Sequence, residues 1–328
     1  MKRSKIADLS VYLPERVVPN AELENRVAAL PAGSLERLFG IRERRFAAPA
    51  EQVSDLATHA ARPIVERTGP DRIGFLIFAS ACSDLIEPAT CNIVQVKLGL
   101  RCPAMDVKNA CNSFTTGLMT ASSLIAAGVC DTVLVVNGEK LSDAIRLDLT
   151  DTTLLRQHLA AYSFGDAGAA ALVQATEEDG NGFQFQRFMT RGEHWPLCMI
   201  PGGGSMFPHT ADKHYFEGYT TGLKDALMDA ARDFFHDGLR EAGWAPGDIR
   251  HLFTHQVSVE SSQLICQVTG IDPARSEEVF PLLGNTAAAS IPVAMFQRFN
   301  RGEIRAGDKV ALLGLAAGVS VSLQLLIW

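Results

Sequence analysis

Two rhythms of apolar and polar positions alternate along this chain. Short, mostly apolar runs fall at 72–80, 104–109, 131–138, 168–174, 183–189, 250–255, 309–316 and 320–328. Their length and their β-branched and aromatic content predict strands. Between them, at 54–67, 113–128, 222–242, 260–269 and 286–301, apolar residues recur every three or four positions. That spacing predicts helices with one apolar face. Strands and helices in alternation predict an α/β fold whose sheets are covered on both faces. The last run alternates Val321, Leu323, Leu325 and Ile327, so one face of that strand is predicted to be less buried than the other.

The pattern also repeats itself. GPDRIGFLIFAS in the first half resembles PGDIRHLFTHQ in the second. Cys111 opens a helical stretch that ends in AAGVCDTVLVVNGE, and Asn285 opens one that ends in RAGDKVALLGLAAG. The polar, turn-rich Glu177-Glu178-Asp179-Gly180-Asn181-Gly182 lies between the copies. We expect two similar α/β halves, 1–177 and 178–328, with Cys111 and Asn285 at related helix starts facing one cleft.

Composition narrows the function classes. The 328 residues are 47% hydrophobic and 20% charged, as in ordinary globular proteins. The net charge is −7 and no basic block stands out, which argues against nucleic acid as a partner. No apolar run reaches the roughly 18 residues of a membrane span. The start, MKRSKIADLSVYLP, reads as a first strand and turn rather than a signal peptide. Seven scattered cysteines without CxxC or Cys/His ligand spacing argue against a disulfide framework or a zinc site, and a reducing cytoplasm is the expected compartment.

Candidate chemistry centres on Cys111 in DVKNACNSFTTGL, where an apolar run stops and a helix of small residues begins. A thiol at a helix start feels the positive end of the dipole and unpaired N–H groups, both of which favour the nucleophilic thiolate. His255 in THQVS and Asn285 in GNTAAASIP are further candidates. Read singly, these three also suit a structural cysteine, a core histidine and a turn residue. His158 and His236 read as surface helix residues. Cysteine proteases share the order Cys, His, Asn, but DVKNACNSF is not their CGSCW-type context. Pro201-Gly202-Gly203-Gly204-Ser205 lacks the Lys-Ser/Thr ending of a phosphate loop.

Together, DVKNACNSF, THQVS and GNTAAASIP resemble the three active-site motifs of the β-ketoacyl-acyl-carrier-protein synthase III family, the FabH-like enzymes of the thiolase superfamily. The resemblance extends to SVYLPERVVPNAELE, GIRERRFAAP, SFGDAGAAALV and GDKVALLGLAAGVS, and so spans nearly the whole chain. It implies a thiolase-like five-layer αβαβα sandwich of two duplicated halves, and a homodimer. It implies a ketosynthase: Cys111 takes up an acyl group from a thioester, and His255 and Asn285 stabilise the enolate of a second thioester. By the same resemblance the backbone N–H groups of Cys111 and Ala317 form an oxyanion hole. The substrates would be phosphopantetheine thioesters, on acyl carrier protein or coenzyme A, with no permanently bound cofactor.

Several positions depart from the family pattern. Glu87 stands where most synthase III enzymes carry a large aromatic residue, in a loop that reaches the partner's acyl pocket. Glu before Pro resembles the OleA-type enzymes and the stand-alone ketosynthases of α-pyrone antibiotic assembly, which join two acyl chains. There the Glu is the implied base for the α-proton. The places of the family's adenine-clamping Trp and Arg hold Ser34 and Leu38, which favours a carrier-bound donor. The carrier-docking helix, however, reads Glu260, Gln267 and Val268, unfavourable for an acidic carrier unless residues such as Arg42, Arg44 and Arg45 compensate. Decarboxylative extension from a malonyl thioester, acyl transfer on the same fold and a non-catalytic scaffold are the alternatives. Retention of Cys111, His255 and Asn285 weighs against the last two.

Overall fold

A computed structural model describes residues 2–178 and 180–328. Asp179, in the expected boundary turn, lies outside them. The first half lays down β1 (Arg3–Tyr12), the antiparallel pair β2 (Arg16–Pro19) and β3 (Glu43–Phe46), then β4 (Phe75–Ala79), β5 (Ala104–Val107), β6 (Thr132–Glu139) and β7 (Ala167–Thr176). The second lays down β8 (Gly182–Thr190), the short pair β9 (Cys198–Met199) and β10 (Glu217–Gly218), then β11 (His251–Thr254), β12 (Lys309–Ala316) and β13 (Ser320–Ile327). Two sheets result, in the orders β1-β7-β6-β4-β5 and β11-β12-β13-β8. β4 runs parallel to β5 and β6, and β11 runs parallel to β12.

The apolar runs of β4, β6, β7, β11 and β12 are continuous because these strands are buried on both faces, whereas β5 and β8 are partly exposed. In β6, Val133 and Val135 face one core while Leu134 and Val136 face another. In β12, Val310 and Leu312 face the first core while Ala311 and Leu313 face a third. The first core lies between the sheets and is filled by Phe114, Leu118 and Ile125 of helix Ser113–Ala126 and by Ile291 and Met295 of helix Ser290–Asn300. Helices Val53–Thr68 and Thr90–Leu98 cover one outer face, and Thr220–Glu241 and Val259–Thr269 the other. These are the five layers of the thiolase-like sandwich.

Three expectations need correction. β13 has no exposed face: Ser320, Ser322 and Gln324 are buried as fully as its leucines. Helix Ser113–Ala126 supplies their partners, with Thr115 Oγ1 3.1 Å from Ser322 Oγ and Gln324 Nε2 donating to Thr115 C=O at 2.8 Å. Burial of a polar stripe is tolerable when it is paired. His158 is not a surface residue but is buried, with Nδ1 2.7 Å from Phe216 C=O. His236 is half-buried, with Nε2 3.0 Å from Val268 C=O.

Candidate functional site

The chain turns sharply between β5 and helix Ser113–Ala126, and Cys111 stands on that turn. Ala110 holds φ +46°, a left-handed conformation that residues with a Cβ rarely adopt. Ser113 stabilises it: its Oγ accepts from Asn109 N–H at 2.8 Å and donates to Ala110 C=O at 2.7 Å. Asn112 is wholly buried and donates through Nδ2 to Ser320 C=O at 3.0 Å and Ser320 Oγ at 3.1 Å. Asn109 Nδ2 reaches the same hydroxyl at 3.3 Å, and Ser322 Oγ donates to Asn112 Oδ1 at 3.3 Å. The Cys111 turn in the first half is thus tied to the first residues of β13 in the second. Gly314 makes room for this: a Cβ there would stand 1.9 Å from Asn112 Oδ1. Sequence reasoning missed Asn109, Asn112 and Ser320. The available signal was a pair of asparagines flanking Cys111 opposite polar positions in an otherwise apolar strand.

The sulfur borders an apolar cluster that includes Leu141, Ile145, Tyr162, Phe164, Phe280 and Ala287. Burial pushes the Cys111 thiol well above its ordinary value, and Cys198 and Glu139 push it the same way. This corrects the expectation of a resting thiolate at a helix start. The first helical residue is Ser113, two positions on, and loss of water opposes the thiolate. The cysteine's own backbone N–H is the opposing contact.

His255 follows directly on β11 and is 7% exposed. Burial pulls its imidazole down to about 4, with the backbone of Ala287 acting in the opposite direction, and its Nδ1 has no hydrogen-bond partner among the described residues. Asn285 does not open an α-helix as expected. It lies in extended chain between helix Phe280–Leu283 and a 3-10 turn at Ala287–Ala289, and the α-helix starts at Ser290. Its N–H donates to Ser163 C=O at 2.8 Å and its C=O accepts from Gly165 N–H at 3.1 Å. Its Oδ1 accepts from Ala287 N–H at 2.9 Å, and its Nδ2 has no acceptor among the described residues. Ala287 therefore contacts both His255 and Asn285, and it belongs to the cluster that Cys111 borders. Ala287 is thus the link between His255 and Asn285, and Cys111 borders the cluster to which it belongs.

The remaining candidates fall elsewhere. Ala317 lies half-buried in the turn between β12 and β13. Glu87 is exposed, in the β4-to-helix loop beside Leu85 and Ile86, which is 83% exposed. Ser34 is buried and Leu38 exposed. The Glu260 carboxylate is answered within the chain by Lys224 Nζ at 2.8 Å. Of the three arginines held in reserve for docking, only Arg42 is free on the surface. Arg45 spends Nη1 on Pro14 C=O and Glu15 C=O, and Arg44 is completely buried.

Comparison with known proteins finds relatives along nearly the whole chain. Residues 105–192 match the model of 3-oxoacyl-[acyl-carrier-protein] synthase III, and residues 239–328 match that of its C-terminal part. The chain is 31% identical to the β-ketoacyl-[acyl-carrier-protein] synthase III of Desulfitobacterium hafniense, over 97% of this chain and 95% of that one. It is 32% identical to the Symbiobacterium thermophilum enzyme of the same name, over 96% and 94%. Among solved structures, Xanthomonas campestris OleA with bound lauric acid and lauroyl-CoA superposes with a TM-score of 0.91 at 27% identity, covering 100% of this chain and 99% of that one. Aquifex aeolicus 3-oxoacyl-[acyl-carrier-protein] synthase III gives 0.87 at 26%, covering 99% and 100%. With its two-sheet, five-layer fold and these relatives, the chain belongs to the β-ketoacyl-[acyl-carrier-protein] synthase III family of acyltransferase-type condensing enzymes.

Proposed function

We propose that this protein joins two acyl thioesters by Claisen condensation through an acyl-Cys111 intermediate. The observation that carries the reading is the position of Ala287, whose N–H orients the Asn285 carboxamide at 2.9 Å and whose backbone acts on the His255 imidazole, within the apolar cluster that Cys111 borders. The Cys111 thiol loses its proton as the sulfur attacks the first thioester, with neutral His255 the basic group at hand. The tetrahedral oxygen takes the N–H groups of Cys111 and Ala317. The carrier thiol leaves. A second acyl thioester then places its carbonyl oxygen against Asn285 Nδ2 and the His255 imidazole, where negative charge develops as its α-carbon becomes nucleophilic. Attack on acyl-Cys111 forms the carbon–carbon bond and releases the thiol.

Glu87 of a second copy is the base we assign to the α-proton. Two features support a homodimer that would bring it in. β5 is a sheet edge paired on one side only, and the Glu87 loop carries Leu85 and Ile86 into solvent. Acyl carrier protein is the donor we favour, because Ser34 is buried and Leu38 has no flat face for an adenine. The second reading is decarboxylative extension from a malonyl thioester, for which His255 and Asn285 suffice. Its support is the exposure of Glu87 in the protomer.

The deciding experiment acylates the protein, confirms the added mass on Cys111, and offers either a malonyl or a plain acyl thioester. Product from the plain donor is expected; product from the malonyl donor alone rejects proton abstraction. Glu87→Gln is expected to slow condensation of two plain thioesters by about 10²–10⁴-fold while Cys111 still acylates. Full turnover in that variant would hand the reaction to the malonyl route.

A pH profile tests the state of His255. Its folded value of about 4 lies below the usual 6.5, so the ring stays neutral from pH 7 down to about 4. Acylation should therefore show no acid limb near pH 6.5 and should fall only towards pH 4. Stability should move in the same window: the unfolded chain takes up a proton that the folded one refuses, so denaturant resistance declines from pH 6.5 towards 4. An acylation limb centred near 6.5 would contradict the assignment.

A further inference from the structure

Arg44 is the largest fully buried side chain among the described residues, and a cation there needs a reason. No carboxylate pairs with it directly; Glu24, Glu22 and Glu43 act only at longer range against the burial that pulls it down to about 10. Its Nε has no partner. An apolar side chain of similar volume would fill this space at lower desolvation cost. What the guanidinium supplies instead is a fork. Nη1 donates to Val18 C=O in β2 at 3.2 Å and Nη2 to Tyr162 C=O at 3.0 Å.

Tyr162 begins the strip Tyr162-Ser163-Phe164-Gly165, and the backbone of Asn285 is bonded to that strip at both ends, through Ser163 C=O and Gly165 N–H. The crossing is tight. A Cβ on Gly165 would stand 3.2 Å from Arg44 Cβ, and one on Gly284, the neighbour of Asn285, 3.4 Å from the same atom. The stem of Arg44 therefore packs where the two segments cross, while its fork holds one of them in register. Cys111 is secured by a different set, Ser113, Asn112 and Ser320, none of which bonds to Arg44.

We propose that Arg44 is a positioning residue for Asn285, setting through the Tyr162–Gly165 strip where that carboxamide points in the cleft. The inference rests on the condensation reading above. It separates the two halves of the reaction: loss of the fork should disturb enolate formation and leave acylation of Cys111 in place.

The test uses full-length Arg44→Met, which keeps volume and removes the donors. Acylation followed by the mass of acyl-Cys111 should stay within about threefold of the parent, and condensation by the acylated enzyme should fall at least tenfold. Asn285→Ala should show the same split, and the double variant should be no slower than Asn285→Ala alone, because both act through one group. Arg44→Lys, which retains the charge and one donor, should lie between; it carries the same comparison if the Met variant does not fold. Equal losses in both steps, or losses that multiply in the double variant, would overturn the positioning role. Full condensation by Asn285→Ala would instead refute the functional reading itself.

Discussion

Cys111→Ala is expected to abolish covalent acylation and to lower condensation by roughly 10⁶-fold, the scale seen when a catalytic nucleophile is removed. The readouts are the mass of the protein after incubation with an acyl thioester and the rate of product formation. The size of the effect follows from the site. None of the other six cysteines stands on the turn that Ala110, Asn112 and Ser113 shape, and Cys198, the neighbour that most influences the Cys111 thiol, sits on β9 and is itself pushed up to about 12 by burial. An acyl group on Cys198 would need a thiolate that its surroundings oppose. Retained turnover, with acyl mass on another cysteine, would remove the basis of the proposed mechanism.

Gly314→Ala is expected to cost about 3 kcal/mol of stability, the upper end for overpacking a filled interior, and to slow acylation as well. The added methyl would meet Asn112 Oδ1 at 1.9 Å and Ser322 Oγ at 2.4 Å. Both belong to the network that fixes the turn under the sulfur, so relief of the clash must move that turn or part it from β13. Denaturant midpoints and the acylation rate should fall together. A variant with the parent's midpoint and acylation rate would mean that the β12–β13 hairpin yields without consequence.

Much of this was legible in the chain. The continuous apolar runs at Phe75–Ala79, Thr132–Glu139 and Lys309–Ala316 gave strands buried on both faces, and helical spacing at Val53–Thr68 and Val259–Thr269 gave their cover. Cys111, His255 and Asn285 could be singled out because their motifs are local. What sequence could not show was long-range pairing. Ser322 and Gln324 suggested an open face because period-2 alternation reports polarity, not the presence of a polar partner such as Thr115 more than two hundred positions away. The same limitation made Asn285 look like the first residue of a helix, when pairing with Phe164 holds it extended. It also made Arg44 look like a surface charge. The surroundings of Cys111 were out of reach for a different reason: helix position is written in the sequence, but the burial that opposes a thiolate there is not.

The bond between Asn112 and Ser320 crosses the midpoint of the chain. It predicts how the protein would tolerate being cut. Fragments separated near residue 180 would each carry strands and helices, yet the innermost core draws Phe114 and Leu118 from one piece and Ile291 and Leu312 from the other. Neither fragment alone should be compact. Mixed together, they should recover activity only as fast as they reassemble, and reactivity at the sulfur would serve as a clock for that union.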